Sequence, residues 1–115
     1  VVEIYEKFLE RINTMEELGV PKSKIIIDPG LGFKKSQETN FNAMRWLSIL
    51  HGLGCSIMIG ASRKFGRLMR GQSPKDRVAG SVAASLYATQ QGAQLLRVHD
   101  VAETQQALGV WRAMG

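Results

Sequence analysis

Three short apolar runs, each separated from the next by a segment of helical periodicity, restrict the fold of this chain more than any other feature. The runs occupy residues 24–28, 56–60 and 94–98, and the first contains three consecutive isoleucines, Ile25 to Ile27. Apolar runs without polar alternation are typical of strands that are covered on both faces, as in parallel sheets. Parallel strands also need crossover connections, which are usually helices. The sequence therefore predicts a parallel sheet, buried on both faces, with right-handed helical crossovers.

Four segments have the apolar spacing of amphipathic helices. We predict helices over residues 1–18, 40–51, 73–91 and from residue 100 to the last helical turn of the chain. The second has an apolar stripe made of Phe41, Met44, Leu47 and Leu50. Ser73 followed by Pro74 is a helix-entry signal, because Ser can cap and Pro suits the first helical position. Asp100 with Glu103 resembles a capping box.

The predicted order is αβαβαβα, which indicates an α/β protein with three parallel strands and four helices. Three strands complete neither a (β/α)₈ barrel, which takes about 250 residues, nor an ordinary doubly wound sheet. The first residue is Val1, and the opening segment already has the pattern of a helix from the middle of a fold. We therefore expect the 115 residues to be part of one larger domain whose other strands come from elsewhere.

Composition is that of an ordinary globular protein, with 44% apolar and 22% charged residues. Cys55 is the single cysteine, so the chain cannot form an internal disulfide or a cysteine-based metal site, and a reducing, cytoplasmic compartment is expected. No apolar stretch approaches the roughly 18 residues of a transmembrane helix, so no membrane partner is expected.

The net charge of +5 is concentrated, since six of the fifteen Lys and Arg residues lie within residues 63–77. A solvated loop, an anion site or a nucleic-acid surface would each explain such a cluster. Only Phe65 interleaves with these bases, whereas single-strand binding normally requires several stacking aromatic residues. Nucleic acid is therefore not expected as a partner.

Polar residues follow each apolar run at its carboxyl end. They are Asp28 after the first run, Ser62, Arg63 and Lys64 after the second, and Arg97, His99 and Asp100 at the third. Ligands of parallel α/β folds bind outside the carboxyl ends of the strands. The three strand ends therefore predict one shared site.

Asp28 has two interpretations. Its carboxylate could accept hydrogen bonds from the backbone of the turn Asp28-Pro29-Gly30, or it could accept two parallel hydrogen bonds from an amidine-like edge of a ligand. Phe33, in the loop that follows, could pack within the loop or form a pocket wall.

Arg97 and His99 are two residues apart on the predicted third strand, so their side chains are expected to share a face and to bind one anion. The alternative is a surface salt bridge for Arg97 and a structural hydrogen bond for His99. Lys64 lies close to its strand end, where its ammonium could reach an acceptor on a ring.

Four segments together resemble the dihydropteroate synthase family. They are Asp28-Pro29-Gly30-Leu31-Gly32-Phe33, Ser62-Arg63-Lys64, Arg77-x-x-Gly80-Ser81 and Arg97-Val98-His99-Asp100. The resemblance implies the C-terminal part of a single (β/α)₈ TIM-barrel domain spanning residues 1–115. The three strands would be the sixth to the eighth, with the N-terminal half absent.

The resemblance also implies a reaction and roles for residues. An aromatic amine, 4-aminobenzoate, attacks the methylene of 6-hydroxymethyl-7,8-dihydropterin diphosphate, giving 7,8-dihydropteroate and diphosphate in folate biosynthesis. Asp28 and Lys64 would bind the pterin, and Arg97 and His99 the diphosphate. Phe33, Ser62, Arg63 and Lys64 would form the aminobenzoate pocket, and Asn40 also matches a family position. No side chain would act as a nucleophile.

Further expectations follow from the same resemblance. Mg²⁺ is implied, with its ligand outside this chain, as are a cytoplasmic location, sensitivity of the family to sulfonamides, and a homodimer through the last two helices. A small-residue face on the third helix (Gly80, Ala83, Ala84 and Ala88), together with Trp111 and Met114, agrees with such a dimer. The same face could instead pack on the barrel's own strands.

Two departures from the family pattern keep other functions open. The family usually has Gly where this chain has Lys34, and Ser or Arg where it has Phe65. In the family, the second position helps to hold the aminobenzoate carboxylate, so the resemblance supports recognition of pterin more than recognition of aminobenzoate. A pterin-binding methyltransferase barrel, which needs no diphosphate site, is one alternative. A noncatalytic synthase-like paralogue or assembly subunit is the other.

Overall fold

The three predicted strands form one parallel sheet in the computed structural model, which describes residues 2–30, 37–60 and 77–115. Seven main elements follow one another along the chain: α1 (Val2–Glu17), β1 (Ile26–Ile27), α2 (Gln37–Arg45), β2 (Ser56–Ile59), α3 (Val78–Gln90), β3 (Leu95–Leu96) and α4 (Val101–Ala113). Two 3₁₀ segments, Lys22–Lys24 and Leu47–Leu53, precede β1 and β2. This order confirms the αβαβαβα prediction.

β2 is the central strand, with β1 and β3 on either side. Ile27 pairs with Ile57, and Ile59 pairs with Leu96, both in parallel register. Hydrogen bonding extends beyond β3, because the backbone N–H of Arg97 donates to the carbonyl of Ile59 at 2.9 Å. The strands are shorter than the apolar runs predicted, but Arg97 is still held by the sheet.

Helices cover one face of this sheet. Ile27, Ile57 and Ile59, on that face, are at most 2% exposed and belong to the hydrophobic core. On the opposite face, Ile26 is 53% exposed and Leu95 is 38% exposed. The prediction of burial on both faces is therefore wrong for the described residues, because only the helix-facing side is covered.

The predicted second helix, residues 40–51, is not one continuous α-helix. α2 ends at Arg45, and the 3₁₀ segment Leu47–Leu53 follows it. A 3₁₀ helix has three residues per turn, so side chains three apart lie on one line. Leu47, Leu50 and Leu53 have this spacing and are each at most 6% exposed. Phe41 and Met44 have the same three-residue spacing within α2, so the spacing alone does not mark the change of helix type.

α3 turns small residues toward the core. The buried stripe of this helix consists of Ser81, Ser85 and Ala88, and Ala84 packs partly against the core cluster. Ala83 is exposed. At Ala84 and Ala88 the predicted small-residue face therefore packs within this chain, the alternative that the sequence had left open. The entry signal at residues 73–76 lies outside the described residues.

α4 begins after Asp100, which occupies the N-cap position as predicted. Its side chain makes no capping hydrogen bond, so the predicted capping box with Glu103 does not form. Instead, the hydroxyl of Thr104 donates to the carbonyl of Asp100 at 2.8 Å. Within the described parts of the chain, no helix is long and apolar enough to cross a membrane.

Candidate functional site

The carboxylate of Asp28 follows β1 directly and is held by the turn after it. The backbone N–H of Gly30 donates to Oδ1 of Asp28 at 2.8 Å. Gly30 has φ of +72°, a conformation that costs little for glycine and more for other residues. Pro29 between them is buried. The turn interpretation of Asp28 is therefore correct. The hydrogen bond from Gly30 holds Oδ1, and Oδ2 is not part of this turn contact.

The second oxygen of Asp28 faces Arg97, which follows β3. Nη2 of Arg97 lies 3.5 Å from Oδ2 of Asp28. The Arg97 side chain is 51% exposed and the Asp28 side chain 28% exposed. Arg97 therefore does make a salt bridge, but its partner is Asp28, another of the predicted ligand-binding residues. The structure brings the two together across the carboxyl end of the sheet.

Gly60, which follows β2, lies directly beneath this contact. A Cβ atom at this position would be 2.5 Å from Nη2 of Arg97 and 2.9 Å from its Nε. Alternate residues of a strand share a face, so Asp28, Gly60 and Arg97 continue the face of Ile26, Met58 and Leu95. The site therefore lies at the end of the uncovered face of the sheet.

His99 belongs to a bend after β3. Because β3 ends at Leu96, the strand alternation used to predict a shared face for Arg97 and His99 does not extend to His99. The side chain of His99 is exposed. The common anion site of these two residues thus stays a prediction that the strand geometry does not support.

Four predicted site residues, Phe33, Ser62, Arg63 and Lys64, lie outside the described residues, as do Lys34 and Phe65. Asn40, the further residue matched by the family resemblance, is 3% exposed in α2. The described part of the site therefore consists of Asp28, Gly60 and Arg97, with His99 nearby in sequence.

The electrostatics of this pair suit an exchangeable contact. A separation of 3.5 Å is longer than the 2.7–2.9 Å of a short N⁺–H···O⁻ hydrogen bond. An ion pair with one partner more than one-third exposed contributes at most about 1 kcal/mol. Each member can therefore leave the other for a stronger partner. The carboxylate can accept hydrogen bonds from a ligand, and the guanidinium can bind an anion in a bidentate manner.

Among the described residues, no metal-binding cluster lies beside this pair and the single cysteine is not activated as a nucleophile. Across residues 2–30, 37–60 and 77–115, no group of three or more His, Cys, Asp or Glu side chains could hold a metal ion. Cys55 is buried immediately before β2, and its thiol contacts the carbonyl of Leu53 at 3.9 Å. Burial raises the pKa of this thiol, which disfavours the nucleophilic thiolate. The described part of the site can orient a ligand and balance its charge.

Gly60 was missed by the sequence reasoning, which treated residues 56–60 only as an apolar run. A signal was present, since glycine in or after a strand often marks a close approach of another group. Which group approaches could not be known, because it depends on the pairing of β2 with β3.

A family model described as pterin binding enzyme matches residues 1–99 of this chain. Among curated relatives, the dihydropteroate synthase of Escherichia coli K12 is 37% identical over 113 residues, which cover 96% of this chain and 40% of the relative. The chain therefore spans less than half the length of that protein.

Solved structures give the same result for the fold. Dihydropteroate synthase from Xanthomonas albilineans with 4-aminobenzoic acid superposes with a TM-score of 0.94 at 47% identity, covering 99% of this chain and 45% of the other. The same enzyme in complex with 7,8-dihydropteroate gives a TM-score of 0.94 over 98% of this chain.

Proposed function

This chain belongs to the family of pterin binding enzymes, and on that premise we propose that it forms the C-terminal part of a dihydropteroate synthase. The enzyme would join 6-hydroxymethyl-7,8-dihydropterin diphosphate to 4-aminobenzoate, releasing diphosphate. The other strands of the barrel would lie outside residues 1–115, and the chain alone would not turn over.

One observation carries this proposal: an acceptor carboxylate and an anion-binding guanidinium meet at the carboxyl end of one parallel sheet. Asp28 and Arg97 come from different strands, and β2 lies between them. A pterin diphosphate has both a hydrogen-bond donor edge and an anion. A single ligand of this kind can satisfy both residues.

In the proposed reaction, the chain orients the reactants and stabilises the departing charge. Asp28 would accept hydrogen bonds from the pterin ring, with its orientation set by Gly30. The amine nitrogen of aminobenzoate would form a bond to the pterin methylene as the bond to the diphosphate oxygen breaks. Arg97, with His99 as a second proposed ligand, would neutralise the diphosphate that leaves, and the amine proton would pass to solvent.

The aminobenzoate side of the site rests on resemblance. By that resemblance Phe33, Ser62, Arg63 and Lys64 would line the pocket, with Lys64 also contacting the pterin. The Xanthomonas albilineans relatives, solved with 4-aminobenzoic acid and with 7,8-dihydropteroate, support these substrates.

The uncovered face of the sheet agrees with a partial barrel. Inward-facing side chains fill the interior of a closed (β/α)₈ barrel. Ile26 and Leu95, which are 53% and 38% exposed, are apolar residues of the kind that such an interior would cover. The proposed domain is therefore completed by strands that pack over these two residues.

Three further properties belong to the proposal. Mg²⁺ would bind through a ligand outside this chain; among the described residues, no group of three or more His, Cys, Asp or Glu side chains could hold a metal ion. A homodimer would form through α3 and α4, where Trp111 and Met114 are 39% and 83% exposed. The enzyme would work in the cytoplasm, without nucleic acid or membrane as a partner.

The proposal is tested with the complete protein that carries this chain. Pterin diphosphate and 4-aminobenzoate are supplied together, and 7,8-dihydropteroate is measured by mass spectrometry alongside released diphosphate. We expect equal amounts of the two products and none of either when aminobenzoate is omitted. Methyl transfer from a reduced pterin, or pterin binding without any product, would overturn the proposed reaction.

A further inference from the structure

Gly60 lies between the two ligand-binding groups of the site, Asp28 and Arg97. It is the first residue after β2, and β2 separates the strands that carry Asp28 and Arg97. A side chain that crosses from β3 to β1 on this face must pass over the carboxyl end of β2. Gly60 is buried under that path.

The distances define what Gly60 provides. An ideal Cβ at this position would lie 2.5, 2.9 and 3.1 Å from Nη2, Nε and Cζ of Arg97, respectively. All three atoms belong to one guanidinium group. Contacts below 3.0 Å are essentially never found for real Cβ atoms, so the group must move if any side chain is present.

The backbone gives no separate reason for glycine. Gly60 is not among the glycines with positive φ, so its conformation is open to other residues. The atoms that a Cβ would meet are at the end of a flexible side chain that is 51% exposed. An alanine at position 60 should therefore displace the Arg97 guanidinium and leave the backbone in place.

From this geometry we infer that Gly60 is a positioning residue: the missing side chain lets Arg97 cross β2 and keep its guanidinium beside Asp28, where pterin and diphosphate meet. This inference rests on the proposed function for the identity of the ligand, but the geometric part does not. Position 60 then limits which ligands the site accepts. The position of the Arg97 guanidinium sets the distance between the bound anion and the Asp28 carboxylate, which accepts from the ring.

The test compares Gly60→Ala with Gly109→Ala in the complete protein. Gly109 lies in α4, and a Cβ there would meet nothing within 4 Å, so it controls for the general effect of replacing glycine by alanine. Thermal unfolding of both variants should remain close to that of the parent protein. Diphosphate binding, measured by calorimetry, should fall about tenfold in Gly60→Ala only.

A double substitution separates positioning from a structural effect. If Gly60 acts through Arg97, then adding Gly60→Ala to Arg97→Ala should change diphosphate binding no further. A fully additive loss would overturn the inference, because it would mean that Gly60 acts independently of Arg97.

An NMR measurement without ligand distinguishes failure of the inference from failure of the proposed function. The Nε–H resonance of Arg97 should shift in Gly60→Ala and in Asp28→Asn, but not in Gly109→Ala. An unchanged resonance in Gly60→Ala would overturn the inference. A shifted resonance in a protein that never binds diphosphate would support the positioning role and overturn the proposed function instead.

Discussion

Arg97 reaches Asp28 over an intervening strand, with 3.5 Å between Nη2 and Oδ2. The two residues thus neutralise each other until a ligand takes one or both of them. A ligand that takes only one leaves the other without its counter-charge, whereas a ligand with both a donor edge and an anion compensates both. Substitution of either residue should therefore weaken the binding of a ligand that contacts both.

Asp28→Asn should preserve the fold and weaken pterin binding by about 2–4 kcal/mol. The amide oxygen can still accept from the N–H of Gly30, but the other side of the group becomes a donor where an acceptor is needed. Glu10→Gln, on the exposed surface of α1, is the matched control for loss of one negative charge. Fluorescence titration with a pterin measures the effect, and equal affinity in parent and Asp28→Asn would remove Asp28 from the site.

Arg97→Ala and His99→Ala should each weaken diphosphate binding if both residues contact the same anion. Together they should then lose less than the sum of the single losses, since coupled sites are not additive. Arg45→Ala removes one exposed positive charge from α2 and should have little effect. Calorimetry with diphosphate at fixed ionic strength gives the affinities of the two single variants, the double variant and the control. Strict additivity would assign Arg97 and His99 to separate sites.

Leu47→Ala should destabilise the protein by about 2–5 kcal/mol, because the side chain is 0% exposed and its removal leaves a cavity. Ile49→Ala, in the same 3₁₀ segment, removes a side chain that is 43% exposed and should cost much less. Urea unfolding of the complete protein measures both changes. Equal destabilisation would contradict the burial pattern of the 3₁₀ segment.

Trp111→Glu and Met114→Glu should convert the proposed dimer to a monomer, because a charge on a twofold interface is introduced twice in each dimer. Ala84 is not a suitable position for this test, since it packs partly on the core of its own chain. Ser23→Glu adds the same charge at an exposed position before β1. Light scattering gives the mass and circular dichroism checks the fold; a dimer that persists in both the Trp111 and the Met114 variant would locate the interface elsewhere.

The stability of the protein should fall with rising pH through Cys55. Burial raises the pKa of this thiol in the folded state, so loss of its proton favours the unfolded chain. The contribution is fully present below the ordinary pKa of a cysteine thiol, 9.0, and is lost as the pH rises through the folded-state pKa. At pH values above the ordinary pKa of the thiol, the temperature midpoint of unfolding should decline more steeply in the parent protein than in Cys55→Ala. Parallel profiles would exclude the thiol as the cause.

Local patterns were sufficient to predict the order of elements and to offer the turn as one of two interpretations of Asp28. Apolar runs and helical spacing are properties of neighbouring residues, and so are the turn residues Pro29 and Gly30. They were also sufficient to predict that Asp28 and Arg97 lie at the same end of the sheet, because the carboxyl ends of parallel strands lie together.

Properties that depend on contacts between elements could not be predicted. Exposure of Ile26 depends on what covers the second face of the sheet, and the role of Gly60 depends on the side chain that crosses it. The change from α-helix to 3₁₀ helix after Arg45 could be predicted only in part. The three-residue spacing of a 3₁₀ helix is present in the sequence, but an apolar stripe on an α-helix also contains three-residue spacings.

The three-stranded sheet has two open sides among the described residues, since β1 and β3 each pair with β2 alone. Backbone N–H and C=O groups along such edges are a template for another strand, and closure into a barrel is what removes them. The 115-residue chain produced alone should therefore self-associate through its edges. Co-expression with a segment that supplies the remaining strands should suppress this aggregation, by occupying both edges in a split barrel.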